Sequence, residues 1–183
     1  ERVAGIIRIV EILSVADIIM IVMLIIQQTI AGIRIKNSNK ILEKKAYIDL
    51  QTGLPNKSKC EEMLHDYEYI SEPVGFVMFD LNNLKRTNDT YGHAVGDQLI
   101  TNFARLLRNA IPSKDFVGRY GGDEFIAIIT QTTKQEILLI MEEVHSTVKH
   151  FNENIHKVEV SYAYGYAFSE DYSECTMKTF FNK

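Results

Sequence analysis

"VGRYGGDEFIAII", Val117 to Ile129, is the stretch on which the reading of this chain turns. Two glycines and two adjacent carboxylates, Asp123 and Glu124, stand between β-prone apolar runs. A tight hairpin accounts for the glycines, because Gly tolerates positive φ without steric cost. It does not account for two acids at the corner, directly before a run apolar enough to be buried. Taken alone, such a pair also reads as solvated turn residues.

Upstream, "VGFVMFD", Val74 to Asp80, is a continuous apolar run of strand length that ends in a third acid. If the hairpin pairs beside this strand, Asp80, Asp123 and Glu124 converge at one edge of a sheet. Clustered carboxylates repel and stay ionised together where a cation neutralises them. Mg²⁺ prefers such hard oxygen ligands and shares them with substrate phosphates. The corner therefore reads as a metal–phosphate seat. Plainer roles exist for its neighbours: Asp80 could open a turn with Asn82 and Asn83, and Asn88-Asp89 could form another. Asp97, at the start of a helix, could be an N-cap or dipole partner.

The remaining pattern supplies the frame. "DLQTGLPN", Asp49 to Asn56, contains a turn, and a helix is predicted from about Ser58. Leu99, Phe103, Leu106, Leu107 and Ala110 recur at the spacing of a half-buried helix, and Ile137, Met141, Val144 and Val148 mark another. "KVEVSYAYGYAF" alternates, with Val158, Val160, Tyr162, Tyr164, Tyr166 and Phe168 on one face. The order helix, strand, helix, hairpin, helix, strand predicts an α/β (α+β) fold with helices packed on a largely antiparallel sheet.

Composition divides the chain. "ILSVADIIMIVMLIIQQTIAGI", Ile12 to Ile33, carries one charge, Asp17, and its apolar residues surround the helix. About 20 mainly apolar residues suffice to cross a bilayer. Arg34, Lys36, Lys40, Lys44 and Lys45 follow, against one acid, Glu43, so the flank is expected to be cytoplasmic. Residues 1–35 are thus expected to be a transmembrane region, 36–47 a helical connector and 48–183 a cytoplasmic domain. From Ala46 onward 13 Lys and Arg face 20 Asp and Glu, a net −7, which argues against a nucleic-acid surface. Cys60 and Cys175 lie far apart, with neither metal-like spacing nor a disulfide framework. The chain begins with Glu and ends at Lys183, and reads as a fragment of a longer protein.

From about Asp49 to its end the sequence resembles the GGDEF domain of diguanylate cyclases. The resemblance rests on "DLQTGLPN", on "FDLNNLKRTNDTYGHAVGD" from Phe79 to Asp97, and on "RYGGDEF", in that order. It implies a fold like the polymerase palm and nucleotidyl cyclases. It implies Mg²⁺, or Mn²⁺ in its place, on Asp80 and Asp123 with the Leu81 carbonyl, and Glu124 as ligand or general base. Asn88 and Asp97 would read guanine, and Asn83, Leu84 and Lys85 would approach the phosphates. The implied reaction joins two GTP into cyclic di-GMP and two pyrophosphates in a homodimer at the inner membrane. A degenerate domain that binds GTP or cyclic di-GMP without turnover is the competing expectation. Departures are Asn82 where the family often has Asp, an end at Lys183 before a basic helix, and Pro112 in "PSKD" where Arg-x-x-Asp would bind product. Weak or absent product inhibition is therefore expected.

Overall fold

The computed structural model describes residues 2–66, 72–154 and 158–171, and the chain divides into two units, Glu1–Lys44 and Lys45–Lys183. The first unit is helical: α1, Arg2–Tyr47, is one unbroken helix of 46 residues, so the expected connector continues the apolar segment. Within it, Asp17–Ser38 spans 22 residues with a mean hydropathy of 2.1 and none of it buried, long and apolar enough to cross a membrane. Cys175 lies outside the described residues.

The second unit is built on a four-stranded antiparallel sheet. Its strands are β1 (Val74–Leu81), β2 (Phe116–Arg119), β3 (Glu124–Thr130) and β4 (Tyr162–Phe168), in the order β2-β3-β1-β4. Among the described residues four α-helices accompany them: α2 (Lys57–Asp66), α3 (Leu84–Tyr91), α4 (His93–Ala110) and α5 (Lys134–Glu153).

Both faces of the two central strands are covered, which explains why β1 reads as a continuous apolar run. Val77, Phe79 and Leu81 of β1 join Phe125, Ala127 and Ile129 of β3 against Phe103 and Leu107 of α4 and Val144 and Val148 of α5. On the opposite face Phe76, Ile126 and Ile128 pack with Cys60 of α2. Burial pushes the Cys60 thiol up to about 12, the coulombic effect of Glu61 adding to it. Phe103 is fully buried, with Phe125 edge-on at 5.2 Å and Phe79 edge-on at 6.2 Å between ring centroids. Helix α5 opens with a capping box: the Thr133 hydroxyl accepts from the Glu136 amide, and the Glu136 carboxylate accepts from the Thr133 amide.

Three expectations change. Residues 84–91 form a separate helix, α3, where a turn at Asn88-Asp89 was the local alternative. Asp97 is not an N-cap, since α4 begins at His93 with Gly92 in the cap position. The alternating face of 158–168 is only partly covered: Val160 and Phe168 are buried, while Tyr164 and Tyr166 are 47% and 37% exposed. Strand β4 is at the sheet edge, and the α4–α5 layer is centred on β1 and β3.

Phe103 fixes the contact between α4 and the sheet. We predict that Phe103→Ala lowers unfolding free energy by about 3–5 kcal/mol, the usual cost of a large aromatic lost from a core. Chemical denaturation measures it, and a loss below about 1 kcal/mol would show that this core relaxes around the cavity.

Candidate functional site

The antiparallel pairing of β1 with β3 sets Asp80 directly opposite Glu124. Directly opposed residues lie on the same face with Cβ atoms about 4.5–5.5 Å apart. The Leu81 amide donates to the Asp123 carbonyl at 2.9 Å, so the pairing carries on past the last strand residue and binds the acidic turn to the end of β1. Asp80 is exposed, Asp123 and Glu124 are half-buried, and Leu81 is buried. Like charges directly across a sheet destabilise it. These acids oppose the fold locally, which marks them as residues kept for another reason.

The glycines before them serve a purpose other than the expected one. Neither Gly121 nor Gly122 has positive φ; among the described glycines, Gly53 and Gly92 do. The backbone carbonyl of Glu124 accepts from the amides of Tyr120 and Gly121, at 2.8 and 3.1 Å, which closes the turn. A Cβ on Gly121 would collide with the Glu124 carboxylate. Gly121 makes room for an acid.

Arg119 holds the turn from behind. Its Nε donates to the Gly121 carbonyl at 3.1 Å and its Nη2 to the Gly122 carbonyl at 2.8 Å. Its Nη1 donates to Asp49 Oδ1 at 3.1 Å and to Gln51 Oε1 at 2.7 Å. The side chain is 12% exposed, so these are sheltered, charge-assisted bonds. The segment 47–56 is thereby anchored to the signature turn, and the Arg119 amide also donates to the Pro55 carbonyl. Asp49 in turn accepts from the amide and hydroxyl of Thr52. Burial alone would raise the Asp49 carboxyl, but the Thr52 hydrogen bonds and the Arg119 guanidinium outweigh it and hold it below its ordinary 3.8.

Beyond β1 the chain turns sharply. Asn82 donates its amide to the Ser161 carbonyl at 2.8 Å and its Nδ2 to the Ser161 hydroxyl at 3.1 Å, so it ties β1 to the entry of β4. Asn83 is left-handed, with φ 61 and ψ 17, a conformation Asn tolerates better than most residues. It stands at the N-cap position of α3 with no side-chain capping bond, and the first residues of the helix are Leu84 and Lys85. The first amides of a helix have no intrahelical partner and suit an anion. Asn88 lies in the middle of α3 with its Oδ1 buried and unpartnered. Gly96 of α4 lies so close that a Cβ there would meet that oxygen. Asp97 follows, exposed, and accepts from Gln51 Nε2 at 2.8 Å.

Each residue singled out in the sequence therefore has a definite place. Asp80, Leu81, Asp123 and Glu124 lie at one end of the two central strands, Asn83, Leu84 and Lys85 at the turn beyond it, and Asn88 and Asp97 on the α3–α4 pair. Among the described residues no three His, Cys, Asp or Glu side chains are arranged to enclose a metal. The donors at the edge are all oxygens, which fits a hard cation that shares its shell with water and phosphate and excludes a closed protein cage. Arg119 and Gln51 were missed in the sequence, although both lie inside quoted motifs. Asp115 accepts at Oδ1 from the Thr130 amide at 3.1 Å, while its Oδ2 is buried with no hydrogen-bond partner among the described residues.

Replacing Arg119 with Leu strands two carbonyls and the Asp49 carboxylate. We expect a loss of about 1–2 kcal/mol in chemical denaturation, because these groups are only partly sheltered and water replaces some of the lost bonds. Because Asp49 is held below 3.8, its ionisation stabilises the fold above that value, and the contribution disappears as pH falls through and below it. Asp49→Asn should flatten this acid limb of the stability profile; an unchanged limb would show that other carboxylates create it.

Comparison with known proteins bears on the family and the fold. The family model described as "Diguanylate cyclase, GGDEF domain" matches residues 46–182. Diguanylate cyclase A of Treponema denticola is 30% identical over 128 residues, covering 66% of this chain and 34% of the relative. A sequence described as an uncharacterized membrane protein of Staphylococcus saprophyticus is 28% identical over 139 residues, covering 71% of this chain and 39% of the relative. The chain thus spans well under half the length of these curated relatives. The coiled coil and GGDEF domain of DgcB from Caulobacter crescentus, solved with c-di-GMP, superposes with a TM-score of 0.75 at 20% identity, covering 85% of each chain. SiaD of Pseudomonas aeruginosa, solved with its activator SiaC, superposes with a TM-score of 0.63 at 26% identity, covering 75% of this chain and 55% of that one. The fold, the motif order and the family match together establish that the chain belongs to the GGDEF, diguanylate cyclase, domain family.

Proposed function

We propose that this chain is the catalytic part of a membrane-anchored diguanylate cyclase, which condenses two GTP into cyclic di-GMP and two pyrophosphates. The observation that carries the reading is the opposition of Asp80 and Glu124 with Asp123 bound to the end of β1. That edge tolerates charge repulsion which a purely structural turn has no reason to keep. Asp80, Asp123 and the Leu81 carbonyl would hold Mg²⁺ or Mn²⁺, which when bound offsets charge developing on the phosphate oxygens.

The protein's own groups have separable tasks. Asn88 and Asp97 face the guanine: Asn offers donor and acceptor together, and a carboxylate accepts from the N1–H and N2–H₂ edge. The Leu84 and Lys85 amides at the start of α3, with the Lys85 charge, orient the triphosphate. Glu124 accepts the proton of the attacking 3′-hydroxyl or orients that hydroxyl. In-line attack on the α-phosphorus of a second GTP needs a second domain facing the first, so the active form is a homodimer. Helix α1, with its apolar stretch Asp17–Ser38 and basic flank, anchors the chain in the inner membrane with the domain in the cytoplasm. The likeness to a curated membrane protein supports that anchor. With Pro112 in the place of an arginine and Asp115 engaged by Thr130, product inhibition through that loop should be weak.

Incubation of the full-length protein with GTP and Mg²⁺, with products identified by mass spectrometry, tests the activity. Cyclic di-GMP should form, and Asp123→Asn or Glu124→Gln should lower kcat by at least about 100-fold with little change in thermal stability. Near-wild-type turnover in either variant removes that residue from the chemistry. GTP binding without product in the wild-type protein would favour a nucleotide-binding module.

A further inference from the structure

Gln51 belongs to none of the groups assigned so far, yet it bridges the firmly held Arg119 and the exposed Asp97. Its Oε1 accepts from Arg119 Nη1 at 2.7 Å, and its Nε2 donates to Asp97 Oδ1 at 2.8 Å. The chemistry allows one orientation of the amide. Arg119 only donates and an ionised Asp97 only accepts, so the carbonyl must face the guanidinium and the NH₂ the carboxylate. Each bond polarises the next: the arginine draws charge from the carbonyl, and the amide becomes a stronger donor to Asp97.

Asp97 needs such a support. It projects from the second turn of α4 and is exposed, and among the described residues Gln51 supplies the hydrogen bond to its carboxylate. An exposed aspartate otherwise samples several rotamers, and fixing one costs conformational entropy at the moment of binding. Arg119, by contrast, is fixed by four bonds and is 12% exposed. Gln51 extends that rigidity to a mobile side chain on another element.

We infer that Gln51 is a positioning residue for base recognition, which holds one oxygen of Asp97 so that the other is presented to the guanine edge. The inference rests on the proposed reading of Asp97 as a guanine acceptor and deepens it. It also joins base recognition to the acidic turn, because Arg119 grips both Gln51 and the carbonyls of Gly121 and Gly122. Two parts of the site separated by sequence share one anchor.

The test compares GTP with ITP, which lacks the 2-amino group, as substrates of the full-length protein. Gln51→Leu removes both bonds and should raise KM for GTP about 5–10-fold with kcat within about threefold, since an interaction shared by ground and transition states is lost. The KM ratio of ITP to GTP should fall towards one. Gln51→Glu keeps an acceptor for Arg119 but sets a carboxylate against Asp97, so it should lose base discrimination while keeping wild-type thermal stability. A merely structural role predicts that this variant keeps its base discrimination as well as its stability. Asp97→Ala should abolish discrimination alone, and adding Gln51→Leu to it should change KM no further, since residues acting through one contact are not additive. An unchanged ITP-to-GTP ratio in both Gln51 variants, or additive effects with Asp97→Ala, overturns the inference while GTP turnover stands. Failure of the wild-type protein to use GTP overturns the functional reading and this inference with it.

Discussion

The antiparallel register between β1 and β3 is the constraint on which the rest of the domain depends. Because side chains alternate along a strand, this register decides both what is buried and what meets at the edge. It sends Val77, Phe79, Phe125 and Ala127 to the α4–α5 face and Phe76, Ile126 and Ile128 to the α2 face. The same register brings Asp80 and Glu124 level, and the bond from the Leu81 amide to the Asp123 carbonyl keeps the next residue in step. A slip by one residue would set each strand's side chains against the wrong packed face and take Asp80 out of level with Glu124. Core packing and site geometry are therefore one specification.

Arg119 carries this order out of the sheet. At the last position of β2, paired with Phe125, it turns its guanidinium onto the loop between the strands and onto the segment that opens the domain. A four-way grip by one cation fixes the turn alongside the packing of Tyr120 on the α2 face. The arrangement stabilises carbonyls and the Asp49 carboxylate, and among the described residues no ion pair reaches Asp80, Asp123 or Glu124. Their mutual repulsion persists in the protein alone and becomes favourable where a cation is shared with phosphate.

Much of this was legible in the chain. Uninterrupted apolar runs at 74–79 and 125–129 announced central strands, and the spacing of Leu99, Phe103 and Leu107 announced the helix that covers them. The opposition of Asp80 to Glu124 followed once a hairpin was placed beside that strand. Helix α3 was not legible, because its sequence is rich in Thr, Asn and Asp, which favour caps and turns, and buries Thr87 alone among its described residues. The role of Gly121 was misread for a related reason: the sequence shows that a glycine is present, whereas the need for space beside Glu124 exists only in three dimensions. Arg119 and Gln51 were overlooked because their partners, Asp49 and Asp97, are 70 and 46 residues away, beyond any local pattern.

The central claim is that the β1–β3 edge and the α3–α4 pair form one nucleotide site, with metal at the first and base at the second. A crystal structure of the full-length protein with a slowly hydrolysed GTP analogue and Mg²⁺ tests it most directly. The account predicts a metal in contact with the carboxylates of Asp80 and Asp123, and guanine hydrogen-bonded to Asn88 and Asp97. A nucleotide bound with its base away from α3 and α4, or a metal held without Asp80 and Asp123, would contradict it.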